Sequence, residues 1–143
     1  HDPSQVKTIL KALDNADMAI GNRFAGNTPY RIGRSRTLAM GILKILVNRI
    51  TGQSFSDTSS GFRAFRKPVL ELFAKNYPVE YMDSVEALIL AIRNGFRVTE
   101  VPVNMQDRLA GKPSNRNFRL IYYFTRLLIV LILGSRKNSV QMQ

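Results

Sequence analysis

A polar turn of seven residues, Asp57-Thr58-Ser59-Ser60-Gly61-Phe62-Arg63, lies between stretches patterned for regular structure on both sides. It constrains the chain more than any other feature. It puts one carboxylate, small residues and a cation inside a folded region. A second basic motif follows further on, Arg108-Leu109-Ala110-Gly111-Lys112. Such a set suits a phosphate-bearing ligand, because guanidinium and ammonium groups match phosphate oxygens and small residues let a ligand approach the backbone.

The flanking periodicity gives an alternating α/β order. Asp2 and Pro3 open a helix, with Val6, Ile9, Leu10 and Leu13 at helical spacing and an end near Asp14-Asn15. A short buried strand follows over 17–21, then a loop rich in Gly, Asn and Pro over 22–29. A second helix runs from about Ile32 to Ile50, with Leu38, Ile42, Ile45, Leu46 and Arg49 on one side. The stretch 51–60 is turn-prone and 61–65 alternates as a strand. Pro68 starts a helix through about Lys75. Asp83-Ser84-Val85-Glu86 reads as a capping box for a helix that ends at the glycine signal Asn94-Gly95. Phe96 to Met105 reads as a strand, and its Pro102 marks an edge or a bulge.

Beyond the second basic motif, Leu120 to Leu133 is apolar except for Thr125 and Arg126, and the uninterrupted run after Arg126 is seven residues. A bilayer span needs about 20. The segment reads as a helix on a membrane surface, on a partner, or leading toward a membrane segment, with a buried core helix or oligomer interface as the alternative. Arg116, Arg119, Arg126, Arg136 and Lys137 flank it and suit anionic headgroups.

Charge and composition narrow the chemistry. The 143 residues carry a net charge of +11 and are 45% hydrophobic, enough for one domain with a core. The basic excess points to an anionic partner: nucleic acid, anionic lipid or a phosphorylated substrate. There is no cysteine, and the single histidine is His1, so thiolate chemistry and multi-histidine metal sites are excluded within the chain.

Five short motifs then occur in one order: Gly21-Asn22-Arg23-Phe24, Arg31 with Ser35, Asp57 with Ser60-Gly61-Phe62-Arg63, Glu100-Val101-Pro102-Val103, and Arg108 with Gly111-Lys112. Together they resemble the C-terminal half of family 2 glycosyltransferases, nearest to the dolichol-phosphate mannose synthase group and its bacterial polyprenyl-phosphate and cell-wall polysaccharide relatives. The resemblance runs from His1 to about Lys112. It implies the C-terminal, acceptor half of a GT-A (Rossmann-like) fold over 1–114, an apolar amphipathic or membrane-associated helix over 115–134, and a flexible tail over 135–143.

By the same resemblance the parent enzyme transfers a sugar, with inversion, from a nucleotide sugar to a polyprenyl or dolichyl phosphate or to a glycan. A divalent cation (Mg or Mn) would be held by a motif upstream of His1, with none expected in this chain. The nucleotide-binding half would then be absent, and the chain alone inactive. Asp57 is the candidate catalytic carboxylate near the acceptor, with a turn cap as the alternative. Arg23, Arg31 and Ser35 resemble acceptor-phosphate positions. Arg108 and Lys112 would neutralise the departing diphosphate, although Pro113 departs from the usual Gly-Lys-Ser pattern. Gly61 would permit close approach of the sugar, and Arg63 would brace Asp57 through an ion pair. The expected location is the cytoplasmic face of a membrane, with homo-oligomer formation open. The competing function is a basic module for nucleic acid or an anionic membrane surface, without catalysis. Nucleic acid fits poorly, because Tyr122, Tyr123 and Phe124 fall inside the apolar segment and there is no Trp.

Overall fold

The strand over Met18–Asn22 (β1) is buried along its whole length, and the sheet forms around it. The computed structural model describes residues 3–25, 34–76 and 84–104. Chain order is α1 (Val6–Lys11), β1, α2 (Arg34–Thr51), β2 (Arg63–Phe65), α3 (Lys67–Asn76), α4 (Ser84–Arg93) and β3 (Val98–Pro102). This is a mixed α/β architecture. The sheet order is β2-β1-β3, with β1 antiparallel to β2 and parallel to β3. A strand paired on both edges and covered on both faces reads as a continuous apolar run, as Met18-Ala19-Ile20 does.

Strand alternation decides which residues meet. On one face Ala19, Ala64 and Val101 pack against Ile9 of α1, with Ala12, Leu13 and Phe62 around them. On the other face the register sets Ile20 opposite Arg63 on β2 and opposite Glu100 on β3, with Asn22 one step along. Polar groups from three strands therefore share one face at one end of the sheet. Gly21 belongs to the first face. A Cβ there would lie 2.8 Å from Phe62 Cδ1 and 3.1 Å from the Val103 methyls, so only glycine lets these side chains close over β1.

The first helical stretch departs from one continuous α-helix. It consists of 3₁₀ turns at Pro3–Gln5 and Ala12–Asp14 around α1. Only Ile9 is buried from α1, so little packing enforces α geometry, and tight turns commonly finish such ends. The Arg66 guanidinium donates to the Leu13 carbonyl at its C-terminal end, satisfying an otherwise orphan acceptor.

The α2 helix is described from Arg34 to Thr51, and its expected start at Ile32 lies outside the described residues. The side facing the core is formed by Leu43 and Val47, not by the Leu38–Ile42–Ile45 side. At its end Gly52, with φ +66°, donates to the Asn48 carbonyl at 3.0 Å. The α4 helix buries Val85, Leu88, Ile89 and Ala91. It ends where Asn94-Gly95 predicts: Gly95 has φ +80°, its N–H donates to Ile92 O, and the Phe96 N–H donates to Ala91 O. That pair of bonds is the Schellman pattern.

The strand expected over 96–105 is Val98–Pro102, at an edge of the described sheet. Pro102 is tolerated there, and the Val103 N–H picks up the Asn22 carbonyl at 3.0 Å just beyond it. Among the described residues no helix is long and apolar enough to cross a membrane. Arg31, Asp83, Arg108, Lys112, the apolar segment 115–134 and the tail 135–143 lie outside the described residues.

Candidate functional site

The loop between α2 and β2 is held from two sides, by α2 and by β3, as it reaches Asp57. On α2, Asn48 accepts the Phe55 N–H through Oδ1 at 2.9 Å and donates through Nδ2 to the Phe55 carbonyl at 3.3 Å. From β3, the Glu100 carboxylate accepts the backbone N–H of Ser56 at 2.9 Å and that of Asp57 at 2.6 Å. Glu100 also accepts from the Asn22 amide at 3.1 Å. The Asn22 Oδ1 turns the chain after β1 by accepting the N–H groups of Phe24 and Ala25. This is an Asx turn, in which a side-chain acceptor stands in for a backbone one.

These anchors bring Arg23 and Asp57 together. The Asp57 Oδ2 accepts the Arg23 backbone N–H at 3.0 Å and its Nε–H at 2.7 Å; Oδ1 accepts the Nη2–H at 2.7 Å. Nη2 also donates to Ser59 Oγ at 2.8 Å. Both residues are buried, Arg23 at 8% exposed and Asp57 at 1%. A two-pronged guanidinium–carboxylate contact of this kind compensates two charges taken out of water. The Arg23 guanidinium carbon also lies 5.9 Å from the centre of the Phe24 ring.

Arg63 holds the same turn through its carbonyls. Its guanidinium donates to Ser60 O at 2.7 Å, Thr58 O at 3.0 Å and, across to the start of α4, Ser84 O at 2.5 Å. The guanidinium that pairs with Asp57 is that of Arg23. Gly61 is exposed. A Cβ there would meet nothing within 4 Å, so packing does not require glycine at this position.

Arg23, Asp57, Gly61 and Arg63 are therefore gathered at one end of the sheet. Ser35 lies in the first turn of α2. Asn22, Asn48, Ser59 and Glu100 share in building the site, but the sequence offered no role for them. Asn22 and Glu100 stood inside the ordered motifs, which was the available signal.

Among the described residues no group of three histidine, cysteine or acidic side chains could hold a metal. The two carboxylates at this site are already engaged, Asp57 by a guanidinium and Glu100 by N–H donors. The described residues of this site do not fit a divalent cation. No model of a known protein family matches the chain. Curated proteins do match it, among them two mannosyl-transfer enzymes. The polyprenol monophosphomannose synthase of Mycolicibacterium smegmatis is 32% identical over 125 residues, covering 83% of this chain and 47% of that protein. The undecaprenyl-phosphate mannosyltransferase of Micrococcus luteus is 26% identical over 119 residues, covering 78% of this chain and 47% of that protein. The chain thus spans about half the length of the curated relatives it matches.

Proposed function

The chain belongs to the family 2 glycosyltransferases, and we propose that it forms the acceptor half of a GT-A enzyme that transfers a sugar from a nucleotide sugar to polyprenyl phosphate. Both relatives are named for polyprenyl-phosphate mannosyl transfer, so mannose is the first sugar to test.

The observation that carries the lipid-phosphate reading is the clasp on Asp57. A hydroxyl acceptor must lose a proton, and its base needs a carboxylate within hydrogen-bond reach. The Asp57 side chain is fully buried and both its oxygens accept from Arg23. A phosphate oxygen is already anionic and needs no base, only alignment behind the anomeric carbon and charge balance. In that reaction the phosphate oxygen forms the new bond to the anomeric carbon, while the bond from that carbon to the nucleotide diphosphate breaks and the bonding pair leaves with the diphosphate.

Asp57 is then a positioning residue that sets Arg23 and the turn 57–60. Because the Arg23 guanidinium is held by Asp57 and Ser59, the acceptor phosphate is assigned to Arg31 and Ser35. Gly61, open on its side-chain face, admits the sugar close to the backbone. Arg108 and Lys112 offset charge on the departing diphosphate. A cation in the nucleotide-binding half would balance the diphosphate of the bound donor.

The test uses a protein that joins this chain to the nucleotide-binding half of its relatives. It is supplied with Mg²⁺ or Mn²⁺, nucleotide sugars, and polyprenyl phosphate, polyprenol or a glycan. The expected result is transfer to polyprenyl phosphate alone, abolished by Arg31→Ala. Turnover with polyprenol or a glycan in preference to the phosphate would overturn the acceptor assignment.

A further inference from the structure

Arg63 turns two peptide groups of the loop 58–61 the same way. Its Nε donates to the Ser60 carbonyl at 2.7 Å and its Nη2 to the Thr58 carbonyl at 3.0 Å. Nε and Nη2 form one edge of the guanidinium, and their N–H bonds run parallel. Both carbonyls therefore point toward Arg63. The described residues contain no cis peptide bond. In a planar trans peptide the N–H points opposite to the C=O, so the Ser59 and Gly61 N–H groups both face away from Arg63. Neither has an acceptor among the described residues. The third bond of the guanidinium, from Nη1 to the Ser84 carbonyl at 2.5 Å, ties this arrangement to the first residue of α4. Thr58 and Ser60 are buried and Gly61 is exposed, so the turn is anchored beneath and open at Gly61.

We propose that the Ser59 and Gly61 N–H groups form an anion-binding pair for a phosphate oxygen of the substrate, and that Arg63 is the positioning residue that aligns them. Two parallel N–H donors match a group that only accepts hydrogen bonds, as a phosphate oxygen does. A cation held at the carbonyl end polarises both peptide groups and strengthens them as donors. Gly61 leaves the approach clear, since a Cβ there would meet nothing within 4 Å. The Ser59 hydroxyl is held by Arg23 Nη2 at 2.8 Å, which fixes the residue carrying the other donor. The phosphate is that of the acceptor or that of the departing diphosphate, which share the same oxygen chemistry. The inference rests on the phosphate-acceptor reading of the site, but phosphate binding is measured without sugar transfer, so the two fail separately.

The test isotope-labels the serine and glycine amides of the joined protein used for sugar transfer and follows their NMR resonances. Inorganic phosphate, a short-chain isoprenyl phosphate, a nucleoside diphosphate and free mannose are titrated separately at constant pH and ionic strength. The Ser59 and Gly61 amide protons should move downfield together and saturate with inorganic phosphate, and mannose should leave them in place. Tighter binding of the isoprenyl phosphate at these amides assigns the pair to the acceptor; tighter binding of the nucleoside diphosphate assigns it to the departing group. Gly61→Pro removes one donor outright with Arg63 intact, and should weaken phosphate binding at least about tenfold. Arg63→Met and Arg63→Lys both lose the parallel edge, the second while keeping the charge, and should weaken it comparably. No saturable shift at the two amides overturns the proposal. So does an equal response to mannose, which would assign the pair to sugar hydroxyls. Unchanged phosphate affinity in Gly61→Pro overturns the pair, and unchanged affinity in either Arg63 variant overturns the part given to Arg63.

Discussion

Replacing Asp57 with alanine removes the acceptor of three hydrogen bonds from Arg23, at 2.7, 2.7 and 3.0 Å, and leaves a buried guanidinium with only part of its compensation. Breaking a buried ion pair on one side costs about 3–5 kcal/mol, chiefly because the surviving charge is stranded away from water. Ser59 Oγ remains as a neutral acceptor, which places the expectation at the lower end, about 3 kcal/mol. For a chain of this length that corresponds to a fall in melting temperature on the order of 10 °C. Arg23→Ala should cost a similar amount by stranding the carboxylate. The double variant strands neither charge, so it should be more stable than the sum of the single losses implies, by about 2–3 kcal/mol. Urea unfolding followed by far-ultraviolet circular dichroism gives all four corners of the cycle, with midpoints compared at a shared slope. A single Asp57→Ala loss under about 1 kcal/mol, or strict additivity in the double variant, would refute the clasp as a structural element.

Two further perturbations separate packing from ligand contact. Gly21→Ala forces a Cβ to within 2.8 Å of Phe62 Cδ1 and should destabilise the chain by about 1–3 kcal/mol, read by the same urea titration. Gly61→Ala meets open space at an unstrained backbone and should change stability by less than about 0.5 kcal/mol. If it still depresses sugar transfer in the enzyme assay, glycine is required there by the substrate. Glu100→Gln replaces an acceptor of the Ser56 and Asp57 N–H groups with a neutral amide, at a cost of about 1–3 kcal/mol. Hydrogen exchange at those two amides should quicken well before exchange in α4. Unchanged protection would show that β3 does not hold the turn.

Much of the secondary structure was legible because it is set by neighbours in the chain. The apolar run at 18–20, the helical spacing after Pro68 and the glycine stop at Gly95 each act within a turn or a strand. Strand ends were less legible. The strand expected over 61–65 is Arg63–Phe65, where the ladder pairs Phe65, Ala64 and Arg63 with Met18, Ala19 and Ile20. The motif order also identified the family, because recurring residue types in sequence order are carried by the chain itself.

Tertiary structure decided how the motifs meet. Arg23 and Asp57 stood in separate motifs, and no periodicity joins residues 34 positions apart. They meet because Asn48 and Glu100 hold the intervening loop over the end of β1, and because sheet register sets Arg63 and Glu100 on either side of Ile20. The same holds for α2. The sequence shows that Leu38, Ile42 and Ile45 share a side and that the helix has only basic charges. Which side faces the core depends on where the sheet and α4 lie, and a periodic pattern contains no reference direction. Local chemistry is written along the chain, whereas the assignment of inside, outside and partner is a property of the packed whole.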